Sequence, residues 1–374
     1  MEKLGVGIIG CGNISAAYLR LAPLFADIEI GGVADLNPEA AAARGAEFGV
    51  AVHDVAGLLA AADIDIVVNL TVPNAHYPLT RRILQAGKHA YSEKPLVLTL
   101  QEGEALRALA AENGLRVGAA PDTFLGGAHQ QARSLIDAGS IGAVVAGTAH
   151  VMSHGMEHWH PNPDFFFQPG GGPVLDIGPY YVTNLVQLIG PARRVAALAS
   201  AATPTRLITS EPRKGERIPV ETPTNIHALI EFANGATITL STSWDVWAHR
   251  HAAMELYGTE GSLFLPDPNF FGGSVEIAER DGEIGAVSPW DHPFGITNQD
   301  DARANYRTAG LAEMAQAIKA GRAHRCNLDL AIHAVDVMTS ILKSGETGAF
   351  VDLNTTCARP AALTPDDART LLAG

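Results

Sequence analysis

The sequence predicts an α/β protein, with a doubly wound parallel sheet at the N-terminus and a second domain after it. Three observations carry this. Short β-branched runs alternate with helix-type segments as far as Pro121, a Gly-x-Gly turn joins the first run to the first helix, and 374 residues exceed what one core serves. A boundary at 122/123 is therefore expected, giving domains 1–122 and 123–374.

Leu4 to Ile9 reads as a strand, and Ala16 to Leu24 as a helix after the turn Gly10-Cys11-Gly12-Asn13-Ile14-Ser15. Glycines there let the backbone turn tightly against a pyrophosphate, and the helix start offers free N–H groups and a positive dipole end. The next strand, Ile28 to Ala34, delivers Asp35 20 residues after Ser15, the spacing of an acid that binds the adenosine ribose. Leu36 and Asn37 follow it with no adjacent Arg or Lys for a 2′-phosphate, so NAD is expected over NADP. Pro38 to Phe48 reads as a helix, Ala51 as the centre of a short strand, and Val55 to Ala61 as a third helix. Ile64 to Leu70 is a continuous apolar run, as for a strand buried on both faces, and it ends in the loop Thr71-Val72-Pro73-Asn74-Ala75-His76 at the ligand edge. Helix Pro78 to Ala86, stopped by Gly87, leads to the strand His89 to Ser92, which delivers Glu93-Lys94-Pro95. A helix over Leu100 to Asn113 and a strand over Arg116 to Ala119 complete the sheet. Ligands of open α/β sheets bind outside the carboxyl ends of strands, which puts Lys94 where it meets one.

Composition narrows the function. Hydrophobic residues at 47% and charged residues at 18% suit two globular cores, and a net charge of −14 repels nucleic acid and anionic membranes. No apolar run approaches a membrane span, and no leader with a basic start and apolar centre opens the chain. Cys11, Cys326 and Cys357 are dispersed and odd in number, which suggests neither disulfides nor a cysteine metal site and fits the cytoplasm.

The glycine turn, the acid after the second strand, "VPNAHY", "AGKHAYSEKP" and "YGTEGSLF" together resemble the glucose-fructose oxidoreductase and inositol dehydrogenase (Gfo/Idh/MocA) family over nearly the whole chain. The resemblance implies a Rossmann domain binding NAD or NADP, then an α/β domain with a large, mostly antiparallel open sheet. It also implies that Lys94 is the active-site lysine, that Glu93 contacts the nicotinamide-side ribose, and that Pro73, Asn74 and His76 line the cofactor site.

In the second half, helix Ala128 to Ala138 and strand Ala143 to Val151 precede a loop with His154, His158, Trp159 and His160. A wall of imidazole and indole against a sugar ring, ordinary loop packing, and a metal site are the three readings. The spacing matches no His-Glu-x-x-His or structural zinc pattern, so no metal is expected. Gly170-Gly171-Gly172 then precedes Asp176, and Tyr180 occupies the position where the family carries a histidine acid or base. Tyr180 is either the replacement for that imidazole or a packing aromatic. Strands Ile226 to Phe232 and Ala236 to Ser243 are joined by Asn234-Gly235, a hairpin signal. Trp244, Trp247, His249 and His251 follow, and the loop Pro289 to Asn298, with Trp290, Asp291 and His292, is a candidate lid.

These readings converge on a dehydrogenase for a secondary ring hydroxyl of a sugar, glycoside or cyclitol. Lys94 moves the proton or polarises the oxygen, Asp176 orients a neighbouring hydroxyl, and Tyr180 or His160 is the partner. A redox-neutral glycoside hydrolase or epimerase that keeps its NAD, and a non-catalytic NAD-binding regulator, are the alternatives. A homodimer or homotetramer through the C-terminal sheet is expected.

Overall fold

The computed structural model describes residues 3–298 and 303–374. They fall into two compact units, one drawn from 1–127, 291–332 and 360–374, the other from 128–290 and 333–359. The chain therefore returns to its first unit, where the sequence suggests a single boundary at 122/123. Asp122 shows one cause: its buried carboxylate accepts hydrogen bonds from Thr308 N and Gly310 N, both at 3.0 Å.

The first unit contains β1 (Leu4–Ile9), α1 (Asn13–Leu21), β2 (Ile28–Ala34), α2 (Pro38–Phe48), β3 (Ala51–His53), α3 (Val55–Ala60), β4 (Ile66–Asn69), α4 (Pro73–Gln85), β5 (His89–Ser92), α5 (Leu100–Glu112) and β6 (Val117–Ala119). All strand pairs are parallel, in the order β3-β2-β1-β4-β5-β6. Strand order reverses between β1 and β4, so a crevice opens there at the carboxyl ends. Val6, Ile8, Val67, Val68 and Tyr91 are fully buried, which is why these strands read as unbroken apolar runs. Local signals fix the helix ends. Asn37 caps α2 by accepting from Glu39 N, and Thr99 and Glu102 form a capping box on α5.

The chain continues through α6 (Gly127–Asp137), β7 (Val144–Met152), α7 (Gly172–Asp176), α8 (Gly178–Ile189), β8 (Ala192–Ser200), β9 (Thr205–Leu207), β10 (Arg217–Pro219), β11 (Asn225–Phe232), β12 (Thr237–Ser243), β13 (Met254–Gly258), β14 (Gly261–Leu265), β15 (Glu276–Glu279) and β16 (Gly285–Ala286), then α9 (Ala309–Lys319), α10 (Leu328–Thr347), β17 (Val351–Asp352) and α11 (Pro365–Leu371). The second unit holds a nine-stranded sheet, β16-β15-β14-β13-β7-β12-β11-β8-β17, in which only β7 and β12 run parallel. Its β11–β12 hairpin turns as the sequence predicts, with Gly235 at φ +91° and Ala236 N donating to Asn234 Oδ1 at 3.0 Å. A satellite core of Phe166, Phe167, Ile208, Ile218 and Trp244 lies beside the small β9–β10 ribbon.

Candidate active site

The crevice of the first unit is a cleft of about 460 Å³ lined by Ile9, Gly10 and Gly12 on one side, Leu70, Thr71 and Val72 at the end of β4, and Asp35 with Leu36 after β2. Gly10 adopts φ +109°, and a Cβ there would lie 2.7 Å from the Leu70 carbonyl carbon, so the turn requires glycine. Gly12 caps α1 without a side-chain hydrogen bond, and a Cβ at Gly12 would meet nothing within 4 Å. That leaves exposed Asn13 and half-buried Ile14 at a helix start whose N–H groups are open to an anion. The helix begins three residues earlier than the sequence suggests, so both residues belong to its first turn. Asp35 accepts from Cys11 N at 2.7 Å and from Asn37 N at 2.8 Å, which fixes its carboxylate beside the glycine turn. Burial, and then the Asp35 charge, push the Cys11 thiol up to about 11, so it stays protonated. An uncapped helix start, a glycine turn and a fixed carboxylate fit a dinucleotide.

The stretch expected as a loop over Pro73 to His76 is the first turn of α4, with Pro73 at a position where the missing N–H costs nothing. Thr71, Val72 and Ala75 line the cleft, whereas Pro73 and Asn74 fall outside its lining. His76 is a correction to the sequence reading. Its ring is 1% exposed, with Nδ1 at 2.6 Å from Pro95 O and Nε2 at 2.9 Å from Thr71 O, so it cannot face a ligand. Burial is the main force lowering its pKa, and a neutral imidazole donates to only one of the two carbonyls. It ties the loop after β4 to the loop after β5. Asn69 completes the tie, donating to His76 O at 3.0 Å and accepting from Thr71 Oγ1 at 2.6 Å.

Glu93 and Lys94 follow the end of β5, both half-buried. Glu93 Oε1 accepts from the buried Tyr18 hydroxyl at 3.0 Å, and Oε2 from Lys94 N at 3.1 Å. Tyr18 is a residue the sequence analysis missed, and its place on the inner face of α1 is the only signal for it.

In the second unit Asp176 ends the five-residue α7 and is half-buried, while Tyr180 on α8 is 9% exposed. His160 lies within electrostatic reach of Asp176, whose charge opposes the burial that lowers the imidazole pKa. Asn162 N donates to His160 Nδ1 at 3.1 Å, which leaves Nε2 as the protonated nitrogen of the neutral ring. His154 stacks on Trp247 at 3.3 Å between ring centroids, and His158 is exposed. Among the described residues no group of three His, Cys, Asp or Glu side chains is placed to hold a metal ion. The histidines separate because the ring of His150, on β7, stacks on His251, with centroids 4.0 Å apart, while His154 turns to Trp247.

The histidine loop is anchored from below by a buried network that the sequence does not announce. Arg206 pairs with Glu157 at 3.2 Å and with Asp245, donates to Trp244 O, and Asp245 accepts from Thr224 Oγ1 at 2.7 Å. Ser210 Oγ reaches His160 O at 2.6 Å. Trp244, fully buried, belongs to this core, while Trp247 is 82% exposed. In the candidate lid, His292 is 1% exposed, accepts from Phe294 N and lies 3.2 Å from Leu363 O, so it packs within the first unit.

Residues 4–120 match an oxidoreductase family with an NAD-binding Rossmann fold, and residues 129–264 match the GFO/IDH/MocA C-terminal domain. Both matches are to domains of one oxidoreductase family, the first of them an NAD-binding Rossmann fold. The chain belongs to the Gfo/Idh/MocA family. A levoglucosan dehydrogenase from Pseudarthrobacter phenanthrenivorans is 26% identical over 330 residues, covering 79% of this chain and 83% of that protein. An inositol 2-dehydrogenase from Rhizobium meliloti is 24% identical over 299 residues, 80% of this chain and 85% of that one. Two further curated relatives, an oxidoreductase from Schizosaccharomyces pombe and a deoxysugar 3-reductase from Streptomyces violaceoruber, are matched over only about half of their length, 47% and 57%. The solved structure of a levoglucosan dehydrogenase with NADH and levoglucosan superposes with a TM-score of 0.82 over 95% of this chain and 100% of that one, at 22% identity, a likeness of fold.

Proposed function

We propose that the protein is an NAD-dependent dehydrogenase that oxidises a secondary ring hydroxyl of a sugar, glycoside or cyclitol, or reduces the corresponding ketone. The observation that carries this reading is that Glu93, held by Tyr18, and Lys94 follow β5 at the same carboxyl edge of the sheet as the cleft, whose turn and fixed acid suit a dinucleotide. Its relatives named for levoglucosan and inositol support the substrate class. The bound nicotinamide supplies the hydride acceptor or donor. Gly10, Gly12, Asn13 and Ile14 grip the pyrophosphate, Asp35 takes the adenosine ribose, and Glu93 the other ribose. Lys94 polarises the reacting oxygen or moves its proton, and Asp176 orients a neighbouring hydroxyl. Tyr180 or His160 is the proton partner, and His154 and His158 contact the sugar. Asp35 repels a 2′-phosphate, which favours NAD over NADP.

The open face of the nine-stranded sheet supports self-association. Leu198 and Leu229, 76% and 47% exposed, lie on adjoining strands of one face. We assign this face to a homodimer or homotetramer, to be read by light scattering. Three free thiols suit a cytoplasmic protein, and among the described residues no helix is long and apolar enough to cross a membrane.

A screen of monosaccharides, glycosides and inositols with free NAD, read at the NADH absorbance, tests the function. Net NADH is the expected result. Turnover without net NADH would indicate an NAD-retaining hydrolase or epimerase, and no turnover in either direction a regulator.

A further inference from the structure

The cleft of the first unit carries a cation that the sequence does not place near Asp35. Residues Ala75, Pro78, Leu79 and Arg82 of α4 all line it. Their spacing, i, i+3, i+4 and i+7, is one face of a helix. Among the described lining residues Arg82 is the only base and Asp35 the only acid, although 47 positions separate them.

Arg82 is exposed, and among the described residues its guanidinium has no hydrogen bond or ion pair. The other arginine of this region, Arg44, is occupied: it pairs with Glu47 at 2.6 Å and donates to Gly12 O at 3.1 Å, and it does not line the cleft. Exposed Leu36 and Val72, 91% and 56%, line the same cleft and offer apolar surface to an adenine ring, so Arg82 is not needed as the stacking partner. An unpaired guanidinium lining the same cleft as the acid assigned to the ribose is suited to a phosphate monoester, which its fork binds with two hydrogen bonds.

We infer that Arg82 binds the 2′-phosphate of NADP, so that the enzyme accepts NADP as well as NAD while Asp35 keeps NAD ahead. This deepens the dinucleotide reading above and rests on it. The cleft then selects by balance: Asp35 repels the added dianion and Arg82 attracts it.

Calorimetry with ADP-ribose and its 2′-phosphate separates the two claims without any redox turnover. In Arg82→Ala and Arg82→Gln the affinity for 2′-phospho-ADP-ribose relative to ADP-ribose should fall about tenfold or more, and in Asp35→Asn it should rise by a similar factor. The kcat/KM ratio for NADP over NAD should move in parallel. An unchanged ratio in both Arg82 variants, whether absolute affinities fall together through lost adenine contact or stay put because Arg82 only completes the end of α4, overturns the inference. Failure of the wild-type protein to bind ADP-ribose at all would instead overturn the dinucleotide reading beneath it.

Discussion

The hydroxyl of Tyr18, on the first helix of the nucleotide-binding unit, donates to Glu93 Oε1 at 3.0 Å across 75 positions of sequence. One bond thus links the helix that follows the glycine turn to the residue beside Lys94. A hydrogen bond to a charged group is worth about 1.5–3 kcal/mol. Tyr18→Phe should therefore lower kcat/KM about tenfold, as measured by steady-state kinetics. A value within twofold of wild type would show that Glu93 is held without it.

Asp122 makes stability depend on pH. Burial first, against the Gly310 and Thr308 amides and the Arg307 charge, raises its carboxyl from 3.8 to about 6. The folded state therefore holds the proton more tightly than the unfolded chain. Its contribution is complete below about pH 4 and is lost as pH rises through about 6. His129, lowered to about 4 chiefly by burial, acts in the opposite sense over part of this window. The difference between wild type and Asp122→Asn isolates the carboxyl. Urea titrations should show wild-type stability falling relative to the variant between pH 4 and 7, and a constant difference would refute the assignment.

Glu313 is fully buried and accepts from Arg325 Nη1 at 2.8 Å and Nη1 of Arg322 at 2.5 Å. Removing one partner of a buried pair costs about 3–5 kcal/mol because a charge is left uncompensated. Glu313→Gln should thus lower the urea midpoint strongly; a change of under about 1 kcal/mol would mean water satisfies both arginines.

The histidines predict indifference to chelators. With no three of the described His, Cys, Asp or Glu side chains placed for a metal, prolonged chelation should leave turnover unchanged. Activity lost on chelation and restored by zinc or manganese would contradict the reading.

The first unit was legible because each of its signals is local. A strand buried on both faces writes a continuous apolar run, and Gly10, Asp35 and Gly87 mark turns within a few residues of their effect. What escaped is what depends on residues brought together from afar. Asp122 reaches Thr308, and Arg82 reaches the cleft of Asp35, through spacings that carry no motif. His76 misled because the sequence places it beside the ligand edge without showing that its ring turns inward to two carbonyls. In the second unit the Asn234-Gly235 hairpin was readable, but β8 and the β9–β10 ribbon were not, since half-exposed strands mix apolar and polar residues without a strong period.

Lys94→Ala, assayed for turnover and for NAD affinity in the same preparation, tests the central claim most directly. Loss of a group that moves a proton costs roughly 10²- to 10⁴-fold in rate. NAD affinity should fall far less, because the glycine turn and Asp35 line the cleft proposed for the dinucleotide and Lys94 does not. Lys94→Arg should restore little, since guanidinium does not give up its proton at working pH. Adding Tyr180→Phe to Lys94→Ala should cost little more if the two act as one unit, and a Tyr180→Phe enzyme of normal rate would move the partner role to His160. A turnover of 10²-fold or more below wild type with NAD still bound is the predicted result; near-normal turnover in Lys94→Ala would contradict the assignment of Lys94 to the reaction.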